Sequence, residues 1–102
     1  MRERHPCVYM LASGRLGTIY VGVTSNLVGR IIQHRDGTFG GFTEQYAVHR
    51  LVWYDMADTM EAAIAAEKRL KRWHRDWKIE LIERANPHWN DLALGLGLPP
   101  LA

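Results

Sequence analysis

Two phenols, an arginine and a histidine one helical turn apart, and a glutamate set in an apolar stripe are the residues of this sequence best suited to chemistry. Tyr9 and Tyr20 offer hydroxyls that both donate and accept hydrogen bonds, with an ordinary pKa of about 10. Arg30 and His34 combine a permanent cation, able to grip an anion through two parallel hydrogen bonds, with a ring that exchanges protons near neutral pH. Glu67 falls in the helical stripe of Met60, Ala63, Ile64 and Leu70. A carboxylate there is costly unless it is ion-paired or holds a metal ion, and the pattern leaves both readings open. Lys68, Arg69, Lys71, Arg72, Arg75 and Lys78 are opposed by Asp76 alone, with Trp73 and Trp77 between them. Such a run suits phosphate contacts with aromatic packing, or a solvated helix face whose tryptophans point to the core.

These groups need elements to position them. CVYMLA and TIYVGV are β-rich runs separated by the turn residues SGRLG, which predicts an N-terminal hairpin. A turn centred between Gly14 and Arg15 sets Tyr9 directly opposite Tyr20, both on one face with Gly22, where a missing side chain lets a ligand or another group come close. Thr24 or Ser25 is placed to cap a helix through NLVGRIIQH, with Leu27, Ile31 and Ile32 as its apolar stripe. DGTFGGFT reads as a loop and HRLVWYDM as a third strand. Asp58 or Thr59 opens a second helix over TMEAAIAAEKRLKRW. DWKIELIERA predicts a third helix with Trp77, Leu81 and Ile82 inward, and Asn86 before Pro87 has the form of an N-cap with a first-turn proline. The tail GLGLPPLA reads as irregular.

The chain's 102 residues suit one domain. With 47% hydrophobic and 24% charged residues, the composition is that of an ordinary globular protein and not of a disordered chain. MRERHPCVYML lacks the long apolar run of a secretory signal or a membrane span, so a cytoplasmic location with no membrane partner is expected. The single cysteine, Cys7, rules out an internal disulfide and a multi-cysteine zinc site. It is expected in the core. His5, His49, His74 and His88 show no zinc-ligand spacing. The net charge of +2 gives little overall pull on a polyanion, leaving the local basic run as the electrostatic signal.

The segments CVY and YVG, followed by NLVGR, by Glu67 in AIAAEKRLK and by WKIELIERANPHWNDL, resemble in order the signature of the GIY-YIG nucleases, in particular small stand-alone bacterial members related to the URI domain. The resemblance implies an α/β fold of the α+β type, a three-stranded antiparallel sheet flanked by helices. It also implies a single domain over 1–102, with a core of about 6–84 and a C-terminal extension, 85–102. It assigns catalytic roles to Tyr9, Tyr20, Arg30, His34 and Glu67, with Glu67 as the magnesium ligand, and supporting roles to Gly22, Tyr46 and Asn86. Two positions depart from the family pattern. Cys7 replaces the first motif's glycine, and Val23 stands where excision-repair nucleases of this family carry a lysine.

The implied activity is metal-dependent endonucleolytic hydrolysis of DNA, in repair, recombination or processing, with Mg2+ as cofactor and Mn2+ as a substitute. Such hydrolysis needs a water nucleophile and neutralisation of charge on the phosphoryl and leaving oxygens. One carboxylate suffices to anchor a magnesium ion that keeps most of its waters. Tyr9 is the preferred proton acceptor at this stage, with Tyr20 positioning phosphate and water and His34 assisting. Lys68, Arg69, Lys71, Arg72, Arg75 and Lys78 are the expected nucleic-acid contacts. DNA is the expected partner; RNA, an outside targeting partner and the oligomeric state stay open. The alternative is a catalytically inactive nucleic-acid-binding or adaptor module with the same fold.

Overall fold

Alternation along the first strand organises the molecule. In β1 (Cys7–Ala12) every residue is buried, because successive side chains point to opposite faces and each face carries its own apolar layer. Cys7, Tyr9 and Leu11 join Leu27, Ile31, Val48, Leu51 and Ala93 on one side. Val8, Met10 and Ala12 join Val21, Val52, Leu70, Ile82 and Trp89 on the other. The computed structural model describes residues 5–37 and 46–101; the glycine-rich stretch expected as a loop falls mostly outside them.

β2 (Ile19–Thr24) and β3 (Arg50–Met56) pair antiparallel with β1 in the order β2-β1-β3, so β1 is central and β2 lies at an edge. α1 (Leu27–Arg35) covers the face of Tyr9. α2 (Met60–Arg72) and α3 (Arg75–Ala85) contribute Leu70 and Ile82 to the opposite layer. A short 3-10 helix, Leu92–Leu96, follows. The three-stranded antiparallel sheet with flanking helices is the α+β architecture expected. Among the described residues no helix is long and apolar enough to cross a membrane.

Several local expectations are corrected. The hairpin turn is centred between Arg15 and Leu16, not one residue earlier: Gly17 N–H bonds to the Gly14 carbonyl and Leu16 takes the left-handed conformation, φ 57°. Tyr9 therefore faces Gly22, and Tyr20 faces Leu11. Asn26, not Thr24 or Ser25, caps α1, its side chain accepting from the Gly29 N–H at 3.1 Å, while the Thr24 hydroxyl accepts from the Asn26 N–H. Ile32 and Met60 are exposed, because Leu27, Ile31 and His34 form the buried side of α1 and Ala63 and Leu70 that of α2. Thr59 caps α2.

Asn86 ends α3 instead of opening a helix. It is buried, donates to the carbonyls of Val52 and Asn90, and accepts from the Asn90 N–H. This clamp seats Trp89 in the second core, with its indole N–H on Glu83. The following segment is ordered by Asp91, which accepts from the Leu51 and Ala93 N–H groups and pairs with Arg35 at 2.6 Å.

Candidate active site

The even offset between Tyr9 and Tyr20 keeps both phenols on the α1 face, because a register difference of two residues does not change the side of the sheet. Their ring centroids lie 6.4 Å apart. His34 reaches down from α1 between them, with its ring centre 5.9 Å from Tyr9 and 5.3 Å from Tyr20. Tyr9 Oη and His34 Nε2 are 2.8 Å apart. Gly22 creates the room: a Cβ at this position would collide with the Tyr9 ring and hydroxyl.

Electrostatics assigns the protons. Burial, then the charges of Arg30 and His49, pushes the His34 pKa down to about 4. Burial chiefly, then the neighbouring Tyr20, pushes Tyr9 well above the ordinary tyrosine range, against the opposing effect of Arg30. At neutral pH the imidazole is uncharged and the phenol keeps its proton. Tyr9 Oη and His34 Nε2 share a hydrogen bond between two uncharged groups, and the positive charge of Arg30 acts on the same phenol. The result is a cluster in which Tyr9 stands between the charge of Arg30 and the ring of His34. Tyr9 and His34 are buried, whereas Tyr20 and Arg30 keep partial exposure. Of the four, solvent reaches Tyr20 and Arg30.

Glu67 comes from the other layer. Its helix packs across β2 and β1, and its carboxylate, 16% exposed, meets the 52% exposed Lys71 at 3.4 Å. Tyr46 is exposed just ahead of β3. Asn86 serves the clamp under β3 described above. Of the basic run, Lys68, Arg69 and Arg72 are exposed. Arg75 donates to the Leu16 carbonyl in the hairpin turn. Lys78 is half-buried, and burial followed by the charge of Arg75 lowers its pKa. Trp77, expected inside, is exposed.

Two residues join the site without having been singled out. Tyr54 is the β3 partner of Tyr9 and packs against the same core; alternation along β3 was its only signal. His49 acts on His34 by its charge, and its Nε2 is buried without a hydrogen-bond partner among the described residues. Nothing in its sequence position announces this. Cys7 is in the core as expected, its thiol pushed up to about 11 mainly by burial.

A family model described as the GIY-YIG catalytic domain matches residues 5–80. A UPF0213 protein of Staphylococcus saprophyticus is 32% identical over 66 residues, covering 65% of this chain and 80% of its own. A UPF0213 protein of Syntrophus aciditrophicus is 31% identical over 71 residues, covering 69% and 80%. The solution NMR structure of the UPF0213 protein BH0048 from Bacillus halodurans is similar with a TM-score of 0.53 and 25% identity, over 85% of this chain and 92% of that one.

Proposed function

Because the chain belongs to the GIY-YIG catalytic-domain family, we propose that it is a metal-dependent endonuclease hydrolysing phosphodiester bonds in DNA. The observation that carries this reading is the Tyr9–His34 hydrogen bond with Tyr20 packed against both rings and the charge of Arg30 acting on Tyr9. Two phenols, a neutral imidazole and a guanidinium on one sheet face form an arrangement suited to gripping a phosphate and moving a proton beside it.

The donor set fits magnesium. Among the described residues no three His, Cys, Asp or Glu side chains gather into a cation cage, whereas a hard cation that retains its waters needs only one carboxylate and the substrate's own oxygens. Glu67 would hold it, since its partner Lys71 is half-exposed and free to swing away. α2 lies on the far layer, packed across β1 and the edge strand β2, and Glu67 would have to act on the substrate from that side. When bound, the ion supplies positive charge to the phosphoryl and leaving oxygens.

The chain's residues do the rest. Arg30 clamps a non-bridging phosphate oxygen and offsets the charge that builds on it. Tyr20, the more accessible phenol, relays a proton from the attacking water to solvent as the new P–O bond forms and the bond to the leaving oxygen breaks, and the leaving oxygen takes up a proton from solvent. Burial, which opposes a phenolate at Tyr9, supports Tyr20 over Tyr9 as the acceptor. Tyr9 and His34 position Arg30 and pack Tyr20. Lys68, Arg69 and Arg72 contact flanking phosphates. The deciding experiment is a nicking assay over single-stranded, duplex, flapped and branched DNA with Mg2+, Mn2+ or chelator. Cutting with either metal and none with chelator is expected. Binding without any cutting would favour the adaptor reading.

A further inference from the structure

Trp77 is 54% exposed, although a tryptophan in water gives up the burial of a large apolar ring. Two perpendicular contacts hold it there: Trp73 at 5.9 Å and 87°, and His74 at 5.4 Å and 89°. The ring is presented to solvent in a fixed pose. Beside it lies an open groove of about 260 Å³ bounded by Trp73, Glu80, Leu81 and Arg84. Glu80 and Arg84 face each other at 3.5 Å, so the groove holds no uncompensated negative charge. Lys71, Arg72 and Arg75 are exposed in the adjoining turns.

A flat aromatic face with cations on the adjoining turns suits an unpaired nucleotide: the base stacks and the neighbouring phosphates are neutralised. A fully paired duplex keeps its bases stacked on one another and offers such a ring nothing. We infer that Trp77 is a stacking platform for an unpaired base, so that the nucleic acid this chain engages carries a single-stranded segment. Arg75, two residues before Trp77, is tied to the Leu16 carbonyl of the hairpin turn, which joins this helix to the hairpin that carries Tyr20. The inference rests on the nuclease reading above for its substrate, but its readout is binding.

The test is titration of the protein, in chelator so that nothing is cut, with a short oligothymidylate and with a blunt duplex of the same length. Tryptophan fluorescence and affinity are followed for the unmodified chain, Trp77→Ala and Trp77→Phe. Oligothymidylate is expected to quench the unmodified protein. Trp77→Ala should lose most of that quenching and roughly tenfold in affinity. Trp77→Phe, which still stacks, should recover affinity without the quenching. Duplex affinity should stay unchanged in both variants. An equal loss on both DNAs, or none on oligothymidylate, would overturn the platform and leave the nuclease reading standing. So would a Trp77→Ala protein that merely dissociates from a self-associated form while its single-strand affinity holds. If the unmodified protein bound neither DNA at low salt, both readings would fall together.

Discussion

The phenol of Tyr9 lies over the Cα of Gly22, its cross-strand partner, in space that any other residue would fill with its own Cβ. The closeness of the tyrosine cluster depends on that missing atom. Gly22→Ala should push Tyr9 off His34, costing about 1–3 kcal/mol as overpacking. Thermal unfolding together with nicking would show both falling; an unchanged melting temperature would mean that Tyr9 tolerates the intrusion.

The two tyrosines should separate cleanly on mutation. Tyr20→Phe removes the accessible hydroxyl and should lower cleavage by roughly 100-fold or more with little change in stability. Tyr9→Phe leaves the buried His34 Nε2 without its hydrogen-bond partner, which should cost about 1–3 kcal/mol of stability. Melting curves beside single-turnover rates distinguish these patterns, and the reverse pattern would return the proton-accepting role to Tyr9.

Glu67→Gln should abolish metal-dependent cutting while leaving the fold and DNA affinity nearly intact. Glutamine keeps the helix propensity and size. The lost pair is an i,i+4 contact to the half-exposed Lys71, worth about 0.3–0.5 kcal/mol. A variant that cut at the wild-type rate would remove Glu67 from the metal site.

His34 makes stability depend on pH. Its folded pKa of about 4 lies below the ordinary 6.5, so between those values the unfolded chain holds a proton that the folded one does not. Its contribution is fully present above pH 6.5 and is lost as pH falls towards 4, on the order of 3 kcal/mol in total. Denaturant melts across that window should show His34→Gln with a shallower loss than the unmodified chain; equal slopes would contradict a neutral buried imidazole.

Neutralising Lys68, Arg69 and Arg72, all exposed, should weaken DNA binding and reduce its salt slope by roughly 0.7–0.9 per phosphate contact removed. Equilibrium binding at several salt concentrations measures this. An unchanged slope would leave these residues as a solvated face.

The site survived an error in the expected hairpin register because the error was even. Turn residues occur throughout SGRLG, and nothing local announces that Leu16 adopts a left-handed conformation; a slip of two residues moves Tyr20 along the strand without moving it off the Tyr9 face. Helical spacing from Trp77 to Leu81 and Ile82 predicts an inward Trp77. Lys78, Ile79 and Ile82 in fact carry the inner side of α3, and a small rotation about a helix axis is set by tertiary packing, which short-range pattern does not contain. Asn86 likewise has the side chain of a cap, but its partner, the Val52 carbonyl, is 34 residues away.

Because β1 is covered on both faces, its burial is completed by residues from the far end of the described chain: Trp89 closes one layer and Ala93 the other. During synthesis on a ribosome, the β1–β2 hairpin emerges early but has no lasting home until those two residues have followed it out of the exit tunnel. Until then Val8, Met10 and Leu11 remain sticky surface. Folding of this chain is accordingly a late, nearly all-at-once event, and nascent chains stalled before Trp89 would be prey for chaperones and proteases.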